Sequence, residues 1–198
     1  TVILEVRVMP FNIPIALTWL RIVFIPLILV LYYVPHSWWA EITRDQIAAW
    51  VFIIAAITDW FDGWLARRWN QTSAFGAFLD PVADKLMVSA ALLILLSIGR
   101  VDVVIAFIII GREITISALR EWMAQIGASA SVAVSWLGKF KTAAQMVAIP
   151  CLLYYQDVYG VSTRWVGQIL IIIAAILTVW SMLYYLKKAW PEIAKRNV

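Results

Sequence analysis

Long apolar stretches, broken by short polar or helix-breaking segments, set the pattern of this chain. Six can be read, at about 13–34, 46–67, 75–98, 101–123, 136–155 and 164–187, each near the ~20 residues a helix needs to cross a bilayer. The breaks run from Pro35 to Arg44, Arg68 to Ser73, Gly99 to Arg100, Gly127 to Ser131 and Gln156 to Thr163. No segment alternates apolar and polar residues as a membrane barrel strand does. Backbone groups in lipid must then be bonded within their own segment, which predicts helices. The expected fold is all-α: a polytopic membrane protein built as a six-transmembrane-helix bundle. No internal repeat and no polar linker divides the chain, so one transmembrane domain is expected over 9–198. Residues 1–8, TVILEVRV, fit no element and precede Met9; they read as an added, expression-derived segment.

Composition removes the soluble alternative. Hydrophobic residues make up 64% of the 198 and charged residues 14%, with a mean hydropathy of +0.86. An ordinary soluble domain carries about 25% charged residues and lacks the interior to hide so much apolar surface. The net charge of +4 borders apolar spans, which points to lipid or an anionic substrate and away from nucleic acid. With both termini in the cytoplasm, Arg7, Arg67, Arg68, Arg120, Lys139, Lys141, Lys187, Lys188, Lys195 and Arg196 lie inside, while Arg44, Arg100 and Arg164 lie outside. Ten against three is a clear positive-inside bias. Arg21, Lys85 and Arg112 fall within spans. One cysteine, Cys151, allows no internal disulfide, and the lone histidine, His36, lies in a loop. Any metal site must therefore use oxygen ligands, which favours Mg or Mn. Trp60 and Trp64 sit among acidic residues and are expected to pack.

The chemistry concentrates in TDWFDGWLARRWNQTSAFGAFLDPVADK, starting at Thr58. It holds D-x-x-D-G-x-x-A-R-x(8)-G-x-x-x-D-x-x-x-D, with Asp59, Asp62, Gly63, Ala66, Arg67, Gly76, Asp80 and Asp84 at fixed positions. Asp59 and Asp62 share one helical face, as do Asp80 and Asp84. A short connection would make the two helices antiparallel neighbours and let all four acids converge. Carboxylates so gathered repel, and two divalent cations would neutralise them and clamp a phosphoryl displacement. The residues alone also fit protonated acids, a helix cap at Asp80 followed by Pro81, or an ion pathway. Gly63 and Ala66 leave room for a close approach to the backbone, or for close helix packing. Arg67 suits a diphosphate or a positive-inside anchor.

This pattern resembles the CDP-alcohol phosphotransferase family, from about Asn12 to the end of the chain. The resemblance implies that Asp59, Asp62 and Asp80 are metal ligands and that Asp84 is a ligand or the base for the attacking hydroxyl. It implies that Gly63, Ala66 and Arg67 hold the CDP group. Asn12, Thr18 and Arg21 resemble the family's N-terminal NxPNxxTxxR element, which adds Thr18 and Arg21 to the CDP-diacylglycerol side; Ile15 departs from that element. For Arg21, snorkelling toward the interface is the bland alternative. The resemblance also implies a homodimer, two divalent metal ions and a bacterial inner-membrane location.

Further along, GREITISALREWM is followed by SWLGKFKTAAQM. Arg112 and Arg120 fall on one helical face two turns apart, with Glu113 and Glu121 as candidate counter-ions. Lys139 and Lys141 open the fifth span at the same cytoplasmic level. These four cations make a pocket for a small dianion, or a pattern of salt bridges and orientation signals. The segments RE-x(6)-RE and SxxGKxKT resemble family members whose acceptor is glycerol-3-phosphate. Phosphatidyl transfer from CDP-diacylglycerol to glycerol-3-phosphate is the activity this resemblance implies. The cavity should open toward the cytoplasm at the ends of the second and third helices.

Overall fold

The computed structural model describes residues 13–35, 41–69, 74–127 and 136–196. Residues 1–8, Asn12, His36, Trp38 and Trp39 lie outside the described residues. Each apolar run forms one helix: α1 (Ile13–Tyr33), α2 (Glu41–Trp69), α3 (Ala74–Ser97), α4 (Val103–Gln125), α5 (Trp136–Tyr154) and α6 (Thr163–Arg196). Helices α2 and α6 reach beyond their apolar runs, since a helix does not stop where its lipid-compatible residues stop. By length and composition, α1 and α6 are candidate membrane spans, at Ala16–Tyr33 and Thr163–Pro191. Helices α2 to α5 carry ionisable side chains within their apolar stretches, and those side chains build the site.

One departure from all-α is a hairpin between α5 and α6. Strands β1 (Asp157–Val158) and β2 (Val161–Ser162) pair antiparallel. Tyr159 and Gly160 both take positive φ, 49° and 80°, the requirement of the tight turn whose twist matches a hairpin.

The packing differs from the expected pairing of α2 with α3. Among the described residues α1 packs along both of them, α2 lies against α1 and α5, and α5 and α6 form the most extensive contact. Helix α1 is thus a wedge between the two halves of the acidic motif. The interior is built of small residues, with Ala48, Ala49, Ala55, Ala91, Ala148 and Ala174 buried around Phe52, Leu92, Ile109 and Ile149. Large apolar residues such as Phe107, Ile176 and Trp180 face outward. That inversion of a soluble protein suits lipid, where close backbone approach drives association and burial of bulk gains nothing. Gly167 shows how close the approach becomes: a Cβ there would lie 2.7 Å from Leu152 Cγ and 3.1 Å from the Leu152 nitrogen.

Two expectations are corrected here. Asp80 is not a helix cap, because α3 begins at Ala74 and holds Asp80 and Pro81 inside it. Trp60 and Trp64 do not pack into the interior. They are exposed and stack edge-on with Phe61, at 5.7 and 6.2 Å between centroids.

One end of the bundle is closed by a buried ionic cluster. Asp45 receives Arg100, Nε of Arg44 at 3.4 Å and the Tyr32 hydroxyl at 3.1 Å. Arg100 also donates to the carbonyls of Leu152 (3.1 Å) and Leu153 (2.8 Å) and stacks on Tyr155. It thereby satisfies carbonyls of the last turn of α5 that have no helical donor. Arg164 also lies over Tyr155, so Arg44, Arg100 and Arg164 gather at one end, as the charge count grouped them.

Removing Asp45 leaves Arg44 and Arg100 buried without their carboxylate. Asp45→Ala is expected to lower stability by about 3 kcal/mol, read as a lower thermal unfolding midpoint of the detergent-solubilised protein.

Candidate active site

The opposite end of α3 from Arg100 carries Asp80 and Asp84, one turn apart. Asp59 lies near the matching end of α2. These acids meet across α1. The Thr18 hydroxyl donates to Asp80 Oδ1 at 2.7 Å, and the Arg21 guanidinium reaches Asp59 Oδ1 at 2.5 Å. Both α1 side chains are almost fully buried, at 2% and 1% exposure. They are three residues apart on one helical face, so a single turn of α1 serves both motif helices. Asp59 feels the charges of Arg21 and Asp80, and Asp84 those of Asp59 and Arg21. Three of the four expected acids are therefore brought together. Asp62, Gly63, Ala66 and Arg67 lie on the same stretch of α2, and their side chains are outside the described residues. Thr18 and Arg21, expected on the lipid-nucleotide side, are engaged with the motif acids here.

The donor set consists of carboxylate and hydroxyl oxygens, the chemistry of a hard divalent cation. The guanidinium of Arg21 stands against Asp59 as a cation drawn to that negative cluster. Among the described residues no group of three or more acid, histidine or cysteine side chains could hold an ion by itself, and the side chain of Asp62 is not among those described. A metal site would thus draw on Asp62 together with Asp59, Asp80 and Asp84.

Beside the acids lies a polar cavity of about 160 Å³, walled by α3, α4, α5 and α6. Asp84, Lys85, Arg112, Arg120, Thr142 and Gln145 line it. Asp84 thus belongs to both places: it borders the cavity and lies within reach of the charges of Asp59, Glu113 and Lys85. Arg112 and Arg120 share a face of α4, as their spacing predicts, and both lie over the ring of buried Tyr185, at 5.8 and 5.5 Å. Arg112 is 7% exposed. It is held by Glu113 Oε1 at 3.3 Å and donates to Ser181 Oγ at 3.2 Å, while its Nε is buried without a hydrogen bond.

Lys141 is placed differently from Arg112 and Arg120. It is buried, pairs with Glu113 and is not among the lining residues. Its ammonium neutralises the carboxylate that orients Arg112. Lys139 lies on α5, with its side chain outside the described residues.

Sequence reasoning left out Lys85, Thr142, Gln145, Ser181 and Tyr185. Lys85 and Gln145 carried a signal, a lysine and a carboxamide inside apolar runs. Thr142 and Gln145 are also three residues apart, on one face of α5. Tyr185 and Ser181 had none, since only the packing of α6 on α4 brings them to Arg112.

The sequence profile of the CDP-alcohol phosphatidyltransferase family matches residues 11–180. A CDP-diacylglycerol–glycerol-3-phosphate 3-phosphatidyltransferase of Salmonella choleraesuis (strain SC-B67) is 50% identical over 187 residues, which cover 93% of this chain and 98% of that protein. Proteins of the same description from Shigella flexneri serotype 5b and Escherichia coli (strain K12) are 50% and 49% identical over the same shares. The profile match takes in every acid of the α2–α3 cluster and every cation of the cavity, and the chain belongs to the CDP-alcohol phosphatidyltransferase family.

Proposed function

We propose that this protein transfers the phosphatidyl group of CDP-diacylglycerol to glycerol-3-phosphate, forming phosphatidylglycerophosphate and CMP in phospholipid synthesis. The observation that carries this reading is the position of Asp84, shared between the acid cluster and a cavity lined by Arg112, Arg120 and Lys85. A proton acceptor and a phosphate-binding set face the same small space. The relatives named for this activity, about half identical over nearly their whole length, support it.

In the mechanism, Arg112, Arg120 and Lys85 bind the phosphate of the acceptor, since a dianion calls for several cationic donors. The bound acceptor presents its primary hydroxyl to Asp84. The hydroxyl oxygen attacks the phosphorus that bears diacylglycerol, and its proton passes to Asp84. The bond from that phosphorus to the CMP phosphate breaks, and CMP leaves. Arg67 meets the diphosphate, while Gly63 and Ala66 leave space for the nucleotide along α2. Thr18 and Arg21 orient the acids in the absence of substrate and turn to the CDP-diacylglycerol phosphates on binding. Lys139 and Lys141 add positive charge behind the cavity, Lys141 through Glu113. Asp59, Asp62, Asp80 and Asp84 would hold two divalent ions, Mg or Mn. Such ions neutralise the acids and stabilise negative charge on the diphosphate. The same reading has six transmembrane helices, both termini and the cavity on the cytoplasmic side of a bacterial inner membrane, and a homodimer. The opposite placement of the Arg44–Arg100–Arg164 end supports that orientation.

CMP release from CDP-diacylglycerol by purified protein with Mg or Mn tests the activity, with glycerol-3-phosphate, inositol phosphate, inositol and serine offered separately. Release with glycerol-3-phosphate alone is expected; release with a different acceptor overturns the reading of the cavity. Asp84→Asn should lower kcat by about 1,000-fold or more while the protein keeps its elution profile and unfolding midpoint. Arg120→Gln, on the rim of the cavity, should raise KM for glycerol-3-phosphate by about tenfold or more, with KM for CDP-diacylglycerol unchanged.

A further inference from the structure

Gln145 stands out on the cavity wall. Its side chain is 4% exposed and lines the cavity, yet its carboxamide makes no hydrogen bond to any described residue. Unlike Arg112 Nε, its oxygen and nitrogen are not shut off from water: they reach the cavity space, where nothing in the described fold bonds them. Its neighbours on the wall are committed. Thr142 donates to the Gly138 carbonyl at 2.9 Å, and Arg112 is held by Glu113 and Ser181. Among the described residues Gln145 thus presents a neutral donor–acceptor group to a space that Asp84, Lys85, Arg112, Glu113 and Arg120 also line.

The chemistry of the lining says what such a group can do. Arg and Lys only donate, so they bind a phosphate but cannot also accept from a hydroxyl. Asp84 is taken up by the attacking hydroxyl, and Glu113, a second lining carboxylate, by Arg112 and Lys141. Glycerol-3-phosphate has a second hydroxyl, on its middle carbon, which both donates and accepts. A carboxamide is its neutral complement. A site built to bond a substrate hydroxyl rejects the analogue that lacks it far better than an apolar wall does, because the site's own polar group is then left unpaired.

We infer that Gln145 is a specificity-determining residue that hydrogen-bonds the secondary hydroxyl of the acceptor, an inference that rests on the acceptor reading above. In the resting protein, water satisfies the carboxamide, and the acceptor hydroxyl displaces it.

The test compares glycerol-3-phosphate with 3-hydroxypropyl phosphate, which lacks only the secondary hydroxyl, in the parent protein and in Gln145→Met. The parent should favour glycerol-3-phosphate by about tenfold or more in kcat/KM. Gln145→Met should lower kcat/KM for glycerol-3-phosphate by about tenfold and leave the analogue within about twofold, so that the preference disappears. Its unfolding midpoint in detergent should stay level, because the replaced carboxamide bonds no part of the described fold and methionine has a similar length. Gln145→Leu should repeat the loss of preference. Equal losses on both acceptors, no loss on either, or a lowered midpoint in both variants would overturn the inference and assign Gln145 to the framework. A parent that uses both acceptors equally well overturns it while leaving the acceptor reading intact. A parent that releases CMP with neither acceptor overturns both.

Discussion

Carboxylates grouped in an apolar bundle must be neutralised or bonded, and the arrangement of the helices follows from how that is done. Asp59 belongs to α2 and Asp80 to α3, and among the described residues both are met from a third helix. Helix α1 gives Arg21 to Asp59 and Thr18 to Asp80. A guanidinium this deeply buried needs a carboxylate, and a carboxylate among other carboxylates needs a cation. The requirement is mutual, and it places α1 between the two halves of the motif. The same contact gives the acids a cationic partner in the protein itself, one that divalent ions would supplant.

The far end of the bundle solves the same problem without leaving anything open. Asp45 takes Arg100, Arg44 and Tyr32, and Arg100 spends its remaining donors on the last carbonyls of α5. Around the cavity the accounts are incomplete. Among the described residues Arg112 keeps a buried Nε without a hydrogen bond, and Gln145 turns an unbonded carboxamide to the cavity. Polar groups left unsatisfied inside an otherwise well-bonded protein mark where a ligand completes the structure. One end is closed by its own bonds, and the other keeps a cavity.

Asp84 joins the two parts of that second end. On α3 it is one turn from Asp80 and adjacent to Lys85, so one helix carries a member of the acid cluster, the shared carboxylate and a cavity cation. The cavity's remaining cations come from α4, where Arg112 and Arg120 stand two turns apart. The Tyr185 ring lies against both guanidinium groups without neutralising them. Glu113 does neutralise Arg112 in part, and Lys141 returns positive charge behind it. The result is a cavity whose charged side chains are held in place by their neighbours.

The sequence by itself determined the helices, since apolar runs of this length have no other way to satisfy their backbone in lipid. It determined that Asp80 and Asp84 share a side of one helix and Arg112 and Arg120 a side of another, because fixed spacing on a helix fixes which side chains share a side. It was silent where the outcome depends on which helix lies against which. The short connection predicts α2 and α3 as close neighbours, whereas among the described residues each packs more extensively on α1. Asp80 was open to a capping role until α3 was seen to start at Ala74. Lys141 was grouped with the arginines by its charge, whereas its depth on α5 turns it to Glu113. Tyr185 and Ser181 reach Arg112 only through the crossing of α4 and α6, and Gln145 becomes informative only when its neighbours are seen to be satisfied. Spacing along a helix is local and can be read from the chain. The choice of partner across helices is a competition among all buried charges and close packings at once, and only the tertiary structure decides it.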